Sequence, residues 1–370
     1  MKRINVIFKL TEGCNLRCKY CYNCDSQYSS DVMPMERMEK LLRLLAASYD
    51  SISLVWHSGE PMLCGIDYFC HAAELQDRIF RETGVTFTNS IQTNATLIDN
   101  EWIKFFKKHK FKLVISFDGI GNENYRQSTE QVIKVIELLR KKKISFDCLA
   151  VVADDDYDMI ANYRFFAQQG LHFALSPMFC EGGGENLPAL TIETYIRKVK
   201  ELFDYWIYDE KGVNIRAFSD YVSMLFGSSN KTCTNGSCHG KWLGITPDGN
   251  LYNCGRDMMK QYCFGNIDDM TSISEAFSSD GFRQLLMGAI ARRSKCMKNC
   301  EFFQYCESGC SDCAIIENGV DQMPEFSCQI FREVFAHARD AIQQTIDDKV
   351  PLSKLNPAIR GVAMRCMAER

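Results

Sequence analysis

The chain has 370 residues, 46% of them hydrophobic and 24% charged, enough for one large α/β domain and a second module, each with its own core. A net charge of -4 leaves no basic stripe for nucleic acid, and no apolar run nears the roughly 18 to 20 residues of a membrane span, so neither is an expected partner. The opening MKRINVIFKL lacks the apolar core and cleavage site of a signal peptide; it reads as a first strand of a cytoplasmic protein.

Five more β-rich runs follow, at 51–56, 85–92, 111–117, 144–152 and 171–176, alternating with helical patterns. In the first helix Pro34 suits the N1 position, and Met35, Met38, Leu41, Leu42 and Leu45 form a stripe that covers the sheet. A later helix repeats this, with Ser128 as cap and Val132, Val135, Ile136 and Leu139 facing inward. Six βα units in strict alternation predict parallel strands with right-handed crossovers, in an open sheet or a partial barrel. Chemistry in such folds sits at the strand C-terminal ends. The segments there are a cysteine loop after the first strand, HSGEP (57–61), QTNAT (92–96) and SFDG (116–119). His57 reads as a hydrogen-bonded structural histidine. Asp154, Asp155 and Asp156 read as a solvated loop, and EGGGE (181–185) as a flexible connection.

Nineteen cysteines are far above ordinary usage, and without a secretion signal ligation of a metal or cluster is the expectation rather than disulfides. Four crowd between Cys14 and Cys24, and ten lie between Cys233 and Cys328. Cys64, Cys70, Cys148, Cys180 and Cys366 are scattered and read as small buried hydrophobes. Cys14, Cys18 and Cys21 stand in CxxxCxxC spacing, which suits zinc or an iron–sulfur cluster; Cys24 is available to close a zinc knuckle.

The motif CxxxCxxC with Tyr20 before its last cysteine, followed by GEP after the second strand, resembles the radical S-adenosylmethionine (radical SAM) enzymes. The resemblance implies a partial (β/α)6 barrel in which Cys14, Cys18 and Cys21 hold three irons of a [4Fe-4S] cluster. The fourth iron is left for the amino and carboxylate groups of SAM. It further implies SAM contacts from Tyr20, Tyr22, Ser58, Gly59, Glu60, Pro61, Asn94, Ser116, Asp118 and Arg126. The family usually writes GGEP, so Ser58 departs at one position.

The later cysteines resemble a SPASM domain, with CMKNC one residue longer than usual between Cys296 and Cys300. Carried over, Cys233, Cys238, Cys254 and Cys310 hold one auxiliary [4Fe-4S] cluster, and Cys296, Cys300, Cys306 and Cys328 a second. Zinc is the alternative occupant of such four-thiolate sites. Cys263 and Cys313 are spare, and TPDGNLYNC (246–254) reads as a hairpin turning at Asp248 and Gly249. The domains are expected at 1–225 (barrel with bridging helices), 226–335 (SPASM) and 336–370 (a helical tail). The stripe of Ile330, Phe331, Val334, Phe335 and Ile342 is expected to pack on the SPASM module.

Among SPASM proteins the chain most resembles anaerobic sulfatase-maturating enzymes, through TEGCNLRCKYCY, SGEP, IQTNATLID, ISFDG, FGNIDDM and CESGCSDC. Those enzymes oxidise a cysteine or serine to formylglycine and carry a base, aspartate, directly after the third ligand of the first auxiliary cluster. Here Gly255 stands at that position, and Asp257 is the candidate base. The expected function is therefore the wider one. A 5′-deoxyadenosyl radical takes hydrogen from a residue of a peptide or protein substrate, giving an oxidised residue, a thioether or a carbon–carbon crosslink, as in maturases of ribosomally made peptides. Formylglycine formation is the alternative, and an iron–sulfur electron carrier or a zinc scaffold is a remoter one. The resemblance implies three [4Fe-4S] clusters and SAM as cofactors, with flavodoxin or ferredoxin as electron donor.

Overall fold

The computed structural model describes residues 2–25, 28–178, 182–188, 190–227, 234, 238–256 and 260–368. The strands are β1 (Arg3–Lys9), β2 (Ser51–His57), β3 (Thr86–Thr93), β4 (Lys112–Ser116), β5 (Phe146–Val152), β6 (Phe173–Pro177), β7 (Trp242–Ile245) and β8 (Leu251–Tyr252). The first six fall on the six β-rich runs of the sequence.

The chain divides into two compact units. The first comprises residues 1–116, 126–146 and 238–288; the second comprises 117–125, 147–237 and 289–370. In the first unit β4, β3, β2, β1 and β7 pair in that order, all parallel, and β8 closes the edge antiparallel to β7. The predicted hairpin is β7–β8, with Gly249 at φ 93° in its turn. Its parallel pairing with β1, Asn5 against Trp242, has no counterpart in the sequence-based expectation.

Alternation decides which side chains each face receives. Ile52, Leu54 and Trp56 of β2 are buried on one face. Trp56 lies 5.0 Å from the Phe69 ring on the helix Ile66–Thr83, and Phe69 lies 5.2 Å from Trp102 on the helix Asn100–Lys108. The indole N–H donates to Asn89 Oδ1 at 2.8 Å, so the buried ring leaves no polar atom unpaired. The remaining residues of β2, His57 among them, point to the opposite face. The helix Met35–Ala46 buries Met38, Leu41, Leu42 and Leu45 as expected, although Pro34 is its N-cap rather than its first turn. From this helix Arg37 donates to the Pro247 carbonyl at 2.6 Å and to Asp268 at 3.0 Å, tying down the β7–β8 hairpin. Ser128 stands at the N-cap of the helix Thr129–Lys141 in the left-handed region, φ 57°, and its side chain caps nothing. That backbone conformation turns the hydroxyl away from the amides it was expected to satisfy.

The second unit holds the parallel pair β5 and β6 and helices including Ile192–Ile207, Arg216–Leu225 and Glu325–Asp347. The last of these packs on the other two as well as on the cysteine-bearing segment. Phe331 stacks on Phe335 at 5.1 Å, and both join Met224 and Phe302. The stripe expected to pack on the SPASM module meets Phe302 there and also packs on the helices Ile192–Ile207 and Arg216–Leu225. Asp155 accepts from the Thr191 amide and hydroxyl, so its loop is anchored and not simply solvated. Gly182–Asn186 forms a 3-10 turn; Glu181 lies outside the described residues. Of the scattered cysteines Cys148 is buried, whereas Cys64 and Cys70 are only half-buried. Cys180 and the Cys366 side chain lie outside the described residues. Among the described residues no helix is long and apolar enough to cross a membrane.

Because Trp56 is the largest side chain under the first unit's helices, Trp56→Ala is expected to cost about 3–5 kcal/mol of stability. The shift of the denaturant midpoint measures it; a shift below about 1 kcal/mol would mean that the aromatic cluster does not carry this unit.

Candidate active site

The rim at the C-terminal ends of β1, β2 and β3 is drawn together by backbone. Gly59, just past β2, lies against the cysteine loop so closely that a Cβ there would strike the Gly13 carbonyl oxygen. The Glu60 amide donates to that same oxygen at 2.8 Å. Only glycine permits this approach. Its neighbour Ser58 adopts φ 92°, a conformation that favours glycine and that a non-glycine residue holds at a cost of about 1–3 kcal/mol.

Glu60 is the hub. Its buried carboxylate accepts from the Met62 amide at 3.1 Å, the Thr93 hydroxyl at 2.9 Å and the Asn94 amide at 2.8 Å. Burial pushes its carboxyl up to about 7 despite these donors. Asn94 then reaches the cysteine loop, its side-chain amide donating to Asn15 Oδ1 at 2.8 Å and lying 3.9 Å from Cys14 Sγ. Asn15 in turn donates to Thr96 Oγ1 at 2.8 Å. Asn15, Thr93 and Thr96 were not singled out from the sequence; their place inside CNLRC and QTNAT was the available signal.

Cys14, Cys18 and Cys21 lie along this loop. The Leu16 amide donates to Cys14 Sγ at 3.4 Å, and Cys18 Sγ sits 3.8 Å from the Arg126 carbonyl. Cys14 feels the charge of Cys18, and Cys21 that of Cys14 and Cys24. Burial raises the thiol pKa of Cys14 and Cys21, so ligation there must displace protons. Tyr20 is buried, with the Arg126 guanidinium 5.2 Å from its ring centre. Tyr22 is half-buried beside Cys21. Pro61 opens the 3-10 turn Pro61–Cys64, and Ser116 is buried at the end of β4. Asp118 belongs to the second unit, where its carboxylate accepts from the Val151 amide at 2.9 Å.

His57 is hydrogen-bonded as expected, by Gln92, but at one ring nitrogen only. Its Nδ1 is buried without a hydrogen-bond partner among the described residues, as is Ser58 Oγ. Burial first, then the positive charge of Lys9, push the imidazole down to about 4.

The second thiol group divides between the units. In the first, Cys238 precedes β7 and Cys254 follows β8; the Asn253 amide donates to Cys238 Sγ at 3.3 Å. Gly255 follows, where a Cβ would lie 2.7 Å from Ile7 Cγ2. In the second, Cys296, Cys300 and Cys328 line a cleft of about 1370 Å³, and Cys296, Cys306 and Cys328 each feel the charge of Cys300. Burial pushes the Cys306 thiol up to about 12. Arg292, almost fully buried, donates to the Ser308 carbonyl at 3.1 Å and Ser311 Oγ at 2.9 Å, bracing the loop that carries Cys310. Cys233 and Asp257 lie outside the described residues.

These donor sets suit iron–sulfur clusters. They are soft thiols, and backbone and amide N–H groups point at their sulfurs. Among the described residues no three His, Cys, Asp or Glu side chains converge on a single-ion site, and a four-iron cluster, with one thiolate per iron, does not require them to.

Two family models match the chain: the radical SAM superfamily over residues 8–167 and an iron-sulfur cluster-binding domain, SPASM, over residues 233–314. A cysteine-type anaerobic sulfatase-maturating enzyme of Clostridium perfringens (strain 13 / Type A) is 30% identical over 352 residues, covering 89% of this chain and 94% of its own. A serine-type counterpart from Klebsiella aerogenes is 27% identical over 319 residues, covering 80% and 77%. The solved structure of native anSMEcpe with bound AdoMet and Cp18Cys peptide superposes with a TM-score of 0.80 at 26% identity, over 93% of this chain and 99% of that one. SuiB of Streptococcus suis, bound to precursor peptide SuiA, shares the fold, with a TM-score of 0.65 at 18% identity over 89% and 76%. The chain has the α/β radical SAM partial barrel followed by a SPASM domain. It belongs to the radical SAM enzymes with a SPASM domain, the family that includes the anaerobic sulfatase-maturating enzymes.

Proposed function

We propose that this radical SAM enzyme oxidises a cysteine, or alternatively a serine, of a sulfatase-type protein to formylglycine. The observation that carries this is likeness along nearly the whole chain to cysteine-type and serine-type sulfatase-maturating enzymes, including one with a bound peptide. It turns the reading from the wider class of peptide modifications, preferred on the residues alone, to its narrower alternative. The cysteine form is put first because the relative at 30% identity is of that type.

The cofactors are three [4Fe-4S] clusters and SAM. Cys14, Cys18 and Cys21 would hold the cluster that binds SAM, and Cys296, Cys300, Cys306 and Cys328 an auxiliary one. When bound, these groups supply hydrogen-atom abstraction and electron transfer. The chain's own residues do the positioning. Gly59 and Glu60 fix the cysteine loop on β2, Asn94 orients Cys14 and Asn15 from β3, and Arg126 holds Tyr20 beside Cys21. Ser58, Gly59, Glu60 and Pro61 form the segment beside the SAM amino group in this proposal, with Tyr22, Ser116 and Asp118 as further contacts. The electron donor is a flavodoxin or ferredoxin of the cytoplasm.

Anaerobic reconstitution is expected to give about twelve irons per chain. With reductant, SAM and a cysteine-containing sulfatase peptide, mass spectrometry is expected to find formylglycine and 5′-deoxyadenosine. A thioether or crosslink in its place would return the reading to the wider class. Gly59→Ala must push the Gly13 backbone away, so iron at the first cluster and 5′-deoxyadenosine formation should each fall at least tenfold while the fold survives by circular dichroism. Unchanged values would show that the close approach is dispensable.

A further inference from the structure

If formylglycine is the product, a proton must leave the substrate's thiol or hydroxyl, and the protein must take it. Gly255 offers no side chain for this, and a Cβ at that position would already press on Ile7 Cγ2 at 2.7 Å. Ile7 and Lys9 alternate on one face of β1, and Lys9 pairs in register with His57 of β2, so Gly255 and His57 lie over the same patch of sheet. This is the face opposite the aromatic cluster under the helices. There the His57 ring carries a buried Nδ1 with no partner among the described residues. The charged and polar groups facing it are Lys9 on β1, itself ion-paired to Glu12 at 3.1 Å, and Gln92 on β3, which hydrogen-bonds the ring.

We propose that Nδ1 of His57 accepts the proton released from the substrate's side chain, the work for which Gly255 has no group. The inference rests on the formylglycine reading. The balance for a cysteine is as follows: the Cβ hydrogen atom goes to the adenosyl radical, the thiol proton to Nδ1 and one electron to an auxiliary iron–sulfur cluster. The C–S single bond becomes a C=S bond, and water then replaces sulfur, releasing hydrogen sulfide and leaving the aldehyde. Burial and Lys9 keep the imidazole neutral above about pH 5, so one ring nitrogen holds a lone pair at physiological pH, as a weak base, and His57 adds no acid limb to the rate between pH 6 and 8.

The test uses the reconstituted holoenzyme with SAM and two peptides, one with the target cysteine and one with alanine in its place. His57→Phe keeps the ring volume and removes the acceptor; His57→Gln covers the case in which the first variant fails to load its clusters. In both, the ratio of formylglycine to 5′-deoxyadenosine is expected to fall 10- to 100-fold while deoxyadenosine still forms. Wild type is expected to bind the cysteine peptide about three- to tenfold more tightly than the alanine peptide by fluorescence anisotropy, and His57→Phe to lose that preference. An unchanged product ratio together with an unchanged preference overturns the role of His57. Wild-type enzyme that makes deoxyadenosine but no formylglycine overturns the reading beneath it, and the binding comparison then still decides whether Nδ1 meets the side chain.

Discussion

The whole first unit turns on one close approach of backbone to backbone, Gly59 against the Gly13 carbonyl. A strand end and a loop can share that space only where a residue has no side chain, and the Glu60 amide then converts contact into a hydrogen bond at 2.8 Å. Glu60 spreads the constraint further, since its carboxylate binds three donors, two of them on or just past β3. An ionised carboxylate in such a place is stabilised by those donors and destabilised by burial, and burial wins, which leaves the group near neutrality in both senses. Cys14 is therefore located by two neighbouring strands at once rather than by its own loop.

This arrangement divides labour between the faces of the sheet. On one face Trp56, Phe69 and Trp102 supply area and stiffness, with the Trp56 indole N–H satisfied by Asn89. On the other lie the polar residues of the strand ends, some with bonding capacity left over. The second thiol group has a buried cation of its own, Arg292, which donates to the Ser308 and Val320 carbonyls and to Ser311 Oγ. A loop carrying thiols that become thiolates on ligation gains from a fixed positive charge nearby, and Arg292 already lowers the Cys296 pKa against the effect of burial.

Much of this was legible in the sequence because it is local. Apolar, β-rich runs locate six strands to within a residue or two, and CxxxCxxC, HSGEP and QTNAT mark the rim. What escaped is non-local or conformational. Nothing near Trp242 announces that it will pair with Asn5, because parallel pairing depends on chain returning from far away. Ser128 has the chemistry of a cap and the wrong dihedral. His57 looked like an ordinary core histidine because sequence shows a residue type and not which of its nitrogens finds a partner.

Strain and unmet polarity coincide at two successive residues. Ser58 holds φ 92° where glycine would be free to do so, and buries a hydroxyl with no partner among the described residues; His57 beside it buries Nδ1 in the same condition. Each such group destabilises the fold by about 1–3 kcal/mol, a sizeable share of ordinary folding stability. Simple packing offers no return, since an apolar residue at either position would avoid the penalty. A molecule that brings its own donor or acceptor to this rim recovers the desolvation already spent on these atoms. Backbone strain and unpaired buried polarity thus concentrate in one step of the chain, from β2 to the turn that meets the cysteine loop.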